Sequence, residues 1–262
     1  MLKILILSNK NGSLAEGQKN VAFNVFKILA LCHEVIHFNA KSVFSKDFWV
    51  KLQSFNPDFI YLILRPNLRV FLLGKILKLK FKQSKIILVV LQPPSNHIFL
   101  KLFIPFLKAD LALVLSEKTE KLIKSFGINT KYFRLGVDIL KFKPVSWEEK
   151  IKLRHKYNIE LNKFVVLHVG HVTKGRNLLP LLDLCGCNGV EVIIVVSSMF
   201  PPNTKILNKL KDGGCRILNE FFDSIEELYQ LSDAYVFLVD KPSSAIEMPL
   251  SILEAMACNT PV

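Results

Sequence analysis

Short apolar runs alternate with longer segments of mixed polarity along the whole chain. Six runs fall in the first half: Lys3–Leu7, Glu34–Phe38, Asp58–Leu64, Lys85–Leu91, Leu111–Ser116 and Lys131–Leu135. Four more follow, at Phe164–Val169, Val190–Ser197, Cys215–Asn219 and Ala234–Val239. Most are near-continuous in Ile, Leu and Val rather than alternating, as strands buried on both faces of a parallel sheet are. The segments between them are long enough for crossover helices, and the first carries Val21, Val25, Ile28 and Leu29 at helical spacing. The pattern predicts an α/β fold.

The alternation breaks once. The stretch from Gly136 to Pro144 has no period, and a polar helix is expected to start near Trp147. Two Rossmann-like domains, 1–140 and 141–262, are the economical division. The closing Thr260-Pro261-Val262 resembles the opening of a further strand, so the second domain is expected to be incomplete at its C-terminus.

Composition narrows the class. The 262 residues are half hydrophobic, ample for two cores. No apolar run reaches the roughly 18 residues of a membrane span, because a Lys or Arg interrupts each one. The first residues turn polar too soon for a secretory signal. Cys32, Cys185, Cys187, Cys215 and Cys258 show no Cys-x-x-Cys spacing, so core thiols in a reducing cytoplasm are expected.

Charge divides the chain unevenly. Residues 1–136 hold 21 Lys+Arg against 7 Asp+Glu, and the remainder 14 against 15. No acidic residue lies between Asp58 and Asp110, a span with nine basic ones. This points to an anionic partner of the first domain. The stretch from Phe71 to Lys85 predicts a helix with Lys75, Lys78 and Lys82 on one side and Leu72, Leu73, Ile76 and Leu77 on the other. Two readings stay open for residues 65–108: crossover helices with solvated Lys faces, or adsorption to an anionic membrane surface. Nucleic acid is not expected as a partner, since no recognition motif accompanies the charge.

The candidate chemistry sits in the second half. Ser251 followed by Glu254 at the head of a run of helix formers has the pattern of a capping box. In the wider segment Ile246–Val262, Glu247 and Glu254 precede Thr260-Pro261-Val262. This segment resembles the Glu-x7-Glu region of the retaining "group 1" (family 4) glycosyltransferases, which have the GT-B fold of two Rossmann-like domains and use nucleotide-sugar donors. The run Val166–Asn177, with Gly170, His171, Lys174, Gly175 and Arg176, resembles the Gly-Arg…Lys-Gly loop of that family. Gly136-Val137-Asp138 with Phe142 and Pro144 is similar to its interdomain linker.

The resemblance implies roles that chemistry makes intelligible. Glu254 would accept hydrogen bonds from both ribose hydroxyls, as a carboxylate does well. The helix start at Leu250 and Ser251 would present N–H groups to the diphosphate. Lys174 would neutralise the departing diphosphate beside Gly170, with His171 in the position of the family's Arg and Arg176 as its substitute. Glu247 would contact the transferred sugar, although eight positions before Glu254 stands Ile246. In the loop from Ser8 to Gly17, Gly12 would allow close backbone approach to the donor, and an ordinary turn is the other reading. His97 reads as a surface histidine.

No Asp-x-Asp pair occurs, in keeping with a metal-independent enzyme. No metal and no cofactor are expected, the nucleotide-sugar being a substrate. The implied acceptor is a lipid-linked or cell-surface glycan, met in the cytoplasm at the inner face of the membrane. Two alternatives are a GT-B nucleotide-sugar epimerase and a non-catalytic relative that binds sugar nucleotides or membranes.

Overall fold

A computed structural model describes residues 1–9, 17–94, 109–197, 201–220, 222–240 and 244–262. Gly12, His97 and the apolar segment 98–108 lie outside the described residues. Contacts group the chain into two units: Met1–Leu135 with Ile246–Met248, and Gly136–Ala245 with Pro249–Val262.

In the first unit, every apolar run of the sequence becomes a strand. These are β1 (Lys3–Ser8), β2 (Glu34–Asn39), β3 (Phe59–Ile63), β4 (Lys85–Val90), β5 (Leu111–Val114) and β6 (Thr130–Tyr132). All pair in parallel, in the order β2-β1-β3-β4-β5-β6. Ile4 to Leu7 are at most 2% exposed because β1 has neighbours on both edges and is covered on both faces. The order reverses between β1 and β3, the place where open α/β sheets leave a crevice at the strands' C-terminal ends. Ser8 closes β1 there, its hydroxyl 2.7 Å from His37 Nε2.

Among the described residues the crossover helices are α1 (Gly17–Ala30), α2 (Lys46–Phe55), α3 (Leu68–Lys80) and α4 (Glu117–Lys124). Ser45, Asn67 and Ser116 cap the last three by accepting a backbone N–H three residues on. Among its described residues the first helix buries Lys19, Val21 and Ala22, all early in its length, so Ile28 is exposed against expectation.

The faces of α3 also differ from the sequence reading. A Cβ on Gly74 would lie 3.4 Å from Leu62 Cδ1, so the helix approaches the sheet closely at that residue. This turns Val70, Phe71 and Leu77 inward and leaves Leu72 and Ile76 exposed. Lys78 is drawn to Asp110 at 3.2 Å and the Ser84 carbonyl at 2.7 Å, while Lys82 lies beyond the helix end.

The second unit contains β7 (Phe164–Gly170), β8 (Val190–Val196), β9 (Arg216–Leu218) and β10 (Ala234–Tyr235), parallel in the order β10-β7-β8-β9. Its helices are α5 (Trp147–Lys156), α6 (Leu181–Cys185), α7 (Thr204–Asp212), α8 (Glu226–Leu231) and α9 (Leu250–Ala257). Alternate residues of β7 and β8 face opposite ways. Val165, Leu167, Ile193 and Val195 join Leu228, Tyr229, Tyr235 and Ala255 in one core. Val166, Val192, Ile194 and Val196 join Leu178, Leu181 and Leu210 in the other.

The stretch from Gly136 to Pro144 is structural. The Asp138 carboxylate accepts the Leu140 N–H at 2.9 Å, a local turn that delivers Phe142 into the first of these cores. Arg154, 2% exposed, anchors the opposite end of the sheet from the loop that follows β7. Its Nε donates to the Leu231 carbonyl, its Nη1 to those of Leu161 and Lys163, and its Nη2 to Asp233. Asp233 also accepts from Lys150 and from the Val165 N–H, each at 2.7 Å. Nearby, the thiols of Cys185 and Cys215 lie 3.2 Å apart.

Candidate functional site

The second sheet reverses its order between β7 and β10, so the loops leaving those strands flank a crevice. The loop after β7 is pinned at both ends by Val172 and Leu178, each 1% exposed, and turns through a short 3-10 helix at Lys174–Arg176. Asn177 ends the turn at φ 43, a left-handed conformation that asparagine tolerates. Gly175 accepts the Asp240 N–H at 3.0 Å, and a Cβ there would run into Ser244. Glycine lets this loop lie close to the segment after β10 without displacing the Ser244 side chain.

The loop presents two cations in different states. Lys174 is exposed, and no carboxylate among the described residues pairs with it. Arg176 is buried, its guanidinium 4.5 Å above the Phe237 ring, with Nε and Nη1 lacking any hydrogen-bond partner among the described residues. Burial lowers its pKa, and the Tyr235 phenol opposes that. A buried cation with unfilled donors and no counter-charge is costly, and such a group calls for an anion to complete it.

His168 lies beneath, in β7. Burial pushes its pKa down to about 4, against the Val236 carbonyl bond and with the charges of Arg176 and His171 adding to the fall. The ring is therefore neutral near pH 7, with Nδ1 placed 2.9 Å from the Val236 carbonyl and Nε2 buried without a partner. A Cβ on Gly170 would come within 3.3 Å of that Nε2, so the glycine leaves the ring its space. His171 follows, half-buried.

Across the crevice stands α9. The expected capping box is not formed: Pro249 is the N-cap and supplies no side-chain bond, and Ser251 lies inside the helix. The proline ends the chain's extended approach two residues earlier than the serine pattern suggested. The first N–H groups of the helix, at buried Leu250 and half-buried Ser251, thus carry no side-chain cap. Glu254 instead accepts the Tyr229 hydroxyl on Oε2 at 2.8 Å. Burial raises its pKa, while the Tyr229 bond and the Lys141 charge oppose the rise.

Two buried tyrosines tie these parts together. The Tyr235 hydroxyl lies 3.4 Å from the Val169 carbonyl of β7, within electrostatic reach of Ser251 and Glu254 of α9 and of Arg176. Thr260 and Pro261 brace the main chain of both tyrosines. Thr260 donates its hydroxyl to the Tyr229 carbonyl at 2.8 Å, and the Pro261 carbonyl accepts the Tyr235 N–H at 2.7 Å.

Gly170, His171, Lys174, Arg176, Leu250, Ser251 and Glu254 therefore belong to one end of the second unit, and Gly12 lies outside the described residues. Glu247 groups with the first unit. Its Oε1 accepts the hydroxyls of Ser116 at 2.8 Å and Thr119 at 2.6 Å, placing the carboxylate at the N-terminus of α4. Its Oε2 is buried without a hydrogen-bond partner. Tyr229, Tyr235 and Phe237 escaped the sequence reading. Tyr235 and Phe237 do alternate within one apolar run, a period-2 signal for a shared face; Tyr229 gave none.

No family model matches the chain, and no curated protein does. Solved structures do. A structure of HepE from Anabaena in complex with UDP and glucose matches with a TM-score of 0.73 at 18% identity, over all of this chain and 80% of that one. A glycosyltransferase from Rickettsia africae matches with a TM-score of 0.66 at 16% identity, over 99% and 78%. The UDP-GlcNAc 2-epimerase of Neisseria meningitidis bound to UDP-GlcNAc matches with a TM-score of 0.54 at 12% identity, over 89% and 76%. At these identities the likeness shows the fold: an α/β chain of the GT-B class, shared with glycosyltransferases.

Proposed function

We propose that this chain transfers a sugar from a nucleoside-diphosphate sugar to a glycan or lipid-linked acceptor, with retention of configuration and without a metal ion. The observation that carries the reading is Arg176, buried and unpartnered, on the same short turn as the free amine of Lys174. Together they supply the fixed positive charge that a departing diphosphate requires. The uncapped N-terminus of α9 offers backbone donors to the same group. Glu254, held through one oxygen by Tyr229, has its other oxygen available for a ribose hydroxyl. Retention and the acceptor class rest on the resemblance of Ile246–Val262 and Val166–Asn177 to the retaining family. The UDP carried by HepE makes UDP-hexoses the first donors to try.

The test is donor turnover by wild type, Lys174→Ala and Glu254→Ala with a panel of UDP-hexoses, the sugar products followed by NMR. Lys174→Ala should lower turnover by about 10²-fold or more. Glu254→Ala should chiefly weaken UDP binding. Equal turnover and binding in all three would overturn the assignment, as would release of an epimerised sugar nucleotide.

One observation favours a second reading, a relative that binds sugar nucleotides without transferring the sugar. Glu247, the expected sugar contact, is engaged by Ser116 and Thr119. UDP-hexose binding with no turnover in wild type would select it.

A further inference from the structure

The helix α3 has apolar residues on two opposite faces. Val70, Phe71, Gly74 and Leu77 are buried in the first unit. Leu68, Leu72, Ile76 and Leu79 are 43%, 48%, 45% and 62% exposed. At about 100° per residue these four fall within roughly 80° of arc, on the side away from the buried face. Exposed apolar residues scattered singly need no explanation, but a continuous stripe over the length of a helix does.

The borders of the stripe are basic. Lys75 lies on one side of it and Arg69 on the other by the same rotation, and Arg65 and Lys82 flank the helix ends. Among the described residues no carboxylate pairs with any of these four, whereas Lys78, turned inward, is paired with Asp110. Lys80 stands over the Trp49 ring at 4.8 Å. The sequence offers no acid between Asp58 and Asp110 to neutralise this surface.

We propose that the outer face of α3 docks on an anionic lipid bilayer, lying in the plane of the interface. Leu68, Leu72, Ile76 and Leu79 enter the acyl boundary, and Arg65, Arg69, Lys75 and Lys82 engage lipid phosphates. Charge complementarity selects this occupant. A second copy of the chain would bring the same positive charge against itself, and a nucleic acid would have no use for the exposed leucines. The surface lies in the first unit and stands apart from the donor-site reading, so either can fail without the other.

The test is flotation of the full chain with vesicles of phosphatidylcholine alone or with 30% phosphatidylglycerol added, at about 0.1 M and 0.5 M salt. Binding is expected to the anionic vesicles only, and to weaken at high salt. Arg69→Gln/Lys75→Gln should weaken it about 25-fold, roughly fivefold per charge. Leu72→Ser/Ile76→Ser should abolish it, with an unchanged circular dichroism spectrum and thermal transition because both side chains are exposed. A control, Lys118→Gln/Lys131→Gln, removes the same charge elsewhere in the unit and should retain binding within about threefold.

No binding to anionic vesicles, equal binding to neutral ones, or equal loss in the control would each overturn the proposal. Concentration-dependent dimerisation that Leu72→Ser/Ile76→Ser removes would overturn it too, assigning the face to a second copy.

Discussion

Two arginines are buried at opposite ends of the second sheet, and the protein treats them in opposite ways. Arg154 donates to three backbone carbonyls and to Asp233, so its charge and its donors are met inside the fold. Arg176 has an aromatic ring beneath it and two nitrogens with nothing to bond among the described residues. The first arrangement stabilises a structure; the second leaves a cost that only a bound anion would offset. Burial alone does not separate a structural charge from a functional one. The fate of each donor does.

Removing the two arginines should therefore have opposite consequences. Arg154→Ala should cost about 3–5 kcal/mol in the unfolding of the second unit, since it leaves buried carbonyls and part of Asp233 unmet. Arg176→Ala should leave the denaturant midpoint at or above wild type while UDP binding, followed by calorimetry, is lost. A fall in stability with Arg176→Ala as large as that with Arg154→Ala would erase the distinction.

A smaller effect concerns pH. The folded pKa of His168 is lowered to about 4, and an unfolded histidine takes up its proton near 6.5. Its contribution is fully present above pH 6.5 and is lost progressively as the pH falls toward 4, because the unfolded chain binds the extra proton. His168→Gln should flatten the slope of stability in that window. Asp233 acts lower down. Burial raises its pKa, but the bonds from Lys150, Val165 and Arg154 outweigh this and leave it below the ordinary value, so its contribution fades only under more acidic conditions. An undiminished slope in His168→Gln would show that other groups produce it.

The smallest predicted effect is at Tyr229. Tyr229→Phe removes one hydrogen bond to Glu254, about 1 kcal/mol, and frees the carboxylate to turn. UDP affinity should fall about fivefold. Unchanged affinity would mean that packing alone holds Glu254.

How much of this was legible beforehand follows from what each feature depends on. The strands were readable because a parallel strand covered on both faces must be apolar at nearly every position, as Ile4–Leu7 and Ile193–Val196 are. The loop of Lys174 and Arg176 was readable through its glycines and its resemblance to a known pattern. Arg154 was not, for in sequence it is one more basic residue of a polar helix, and its partners at Leu161, Lys163, Leu231 and Asp233 are brought to it only by the fold. The faces of α3 were misjudged for a similar reason. Apolar residues on all sides give no inward direction, and the close approach at Gly74 decides it. Glu247 stands one position off the family spacing, and nothing in that spacing carries information about Ser116 and Thr119, more than a hundred residues earlier.

The strand order of the second sheet also governs the timing of its assembly. Its inner strand β7 pairs with β8, which follows soon after, and with β10, which is made much later. A chain emerging from the ribosome can join β7, β8 and β9 while the other edge of β7 is still open. Until Ala234 and Tyr235 arrive, that edge is an apolar template with unfilled backbone groups, open to the wrong strand. The residues that seal it are the ones that bring Tyr235 beneath the crevice, so closing that edge of β7 and placing Tyr235 at the site are one event in synthesis.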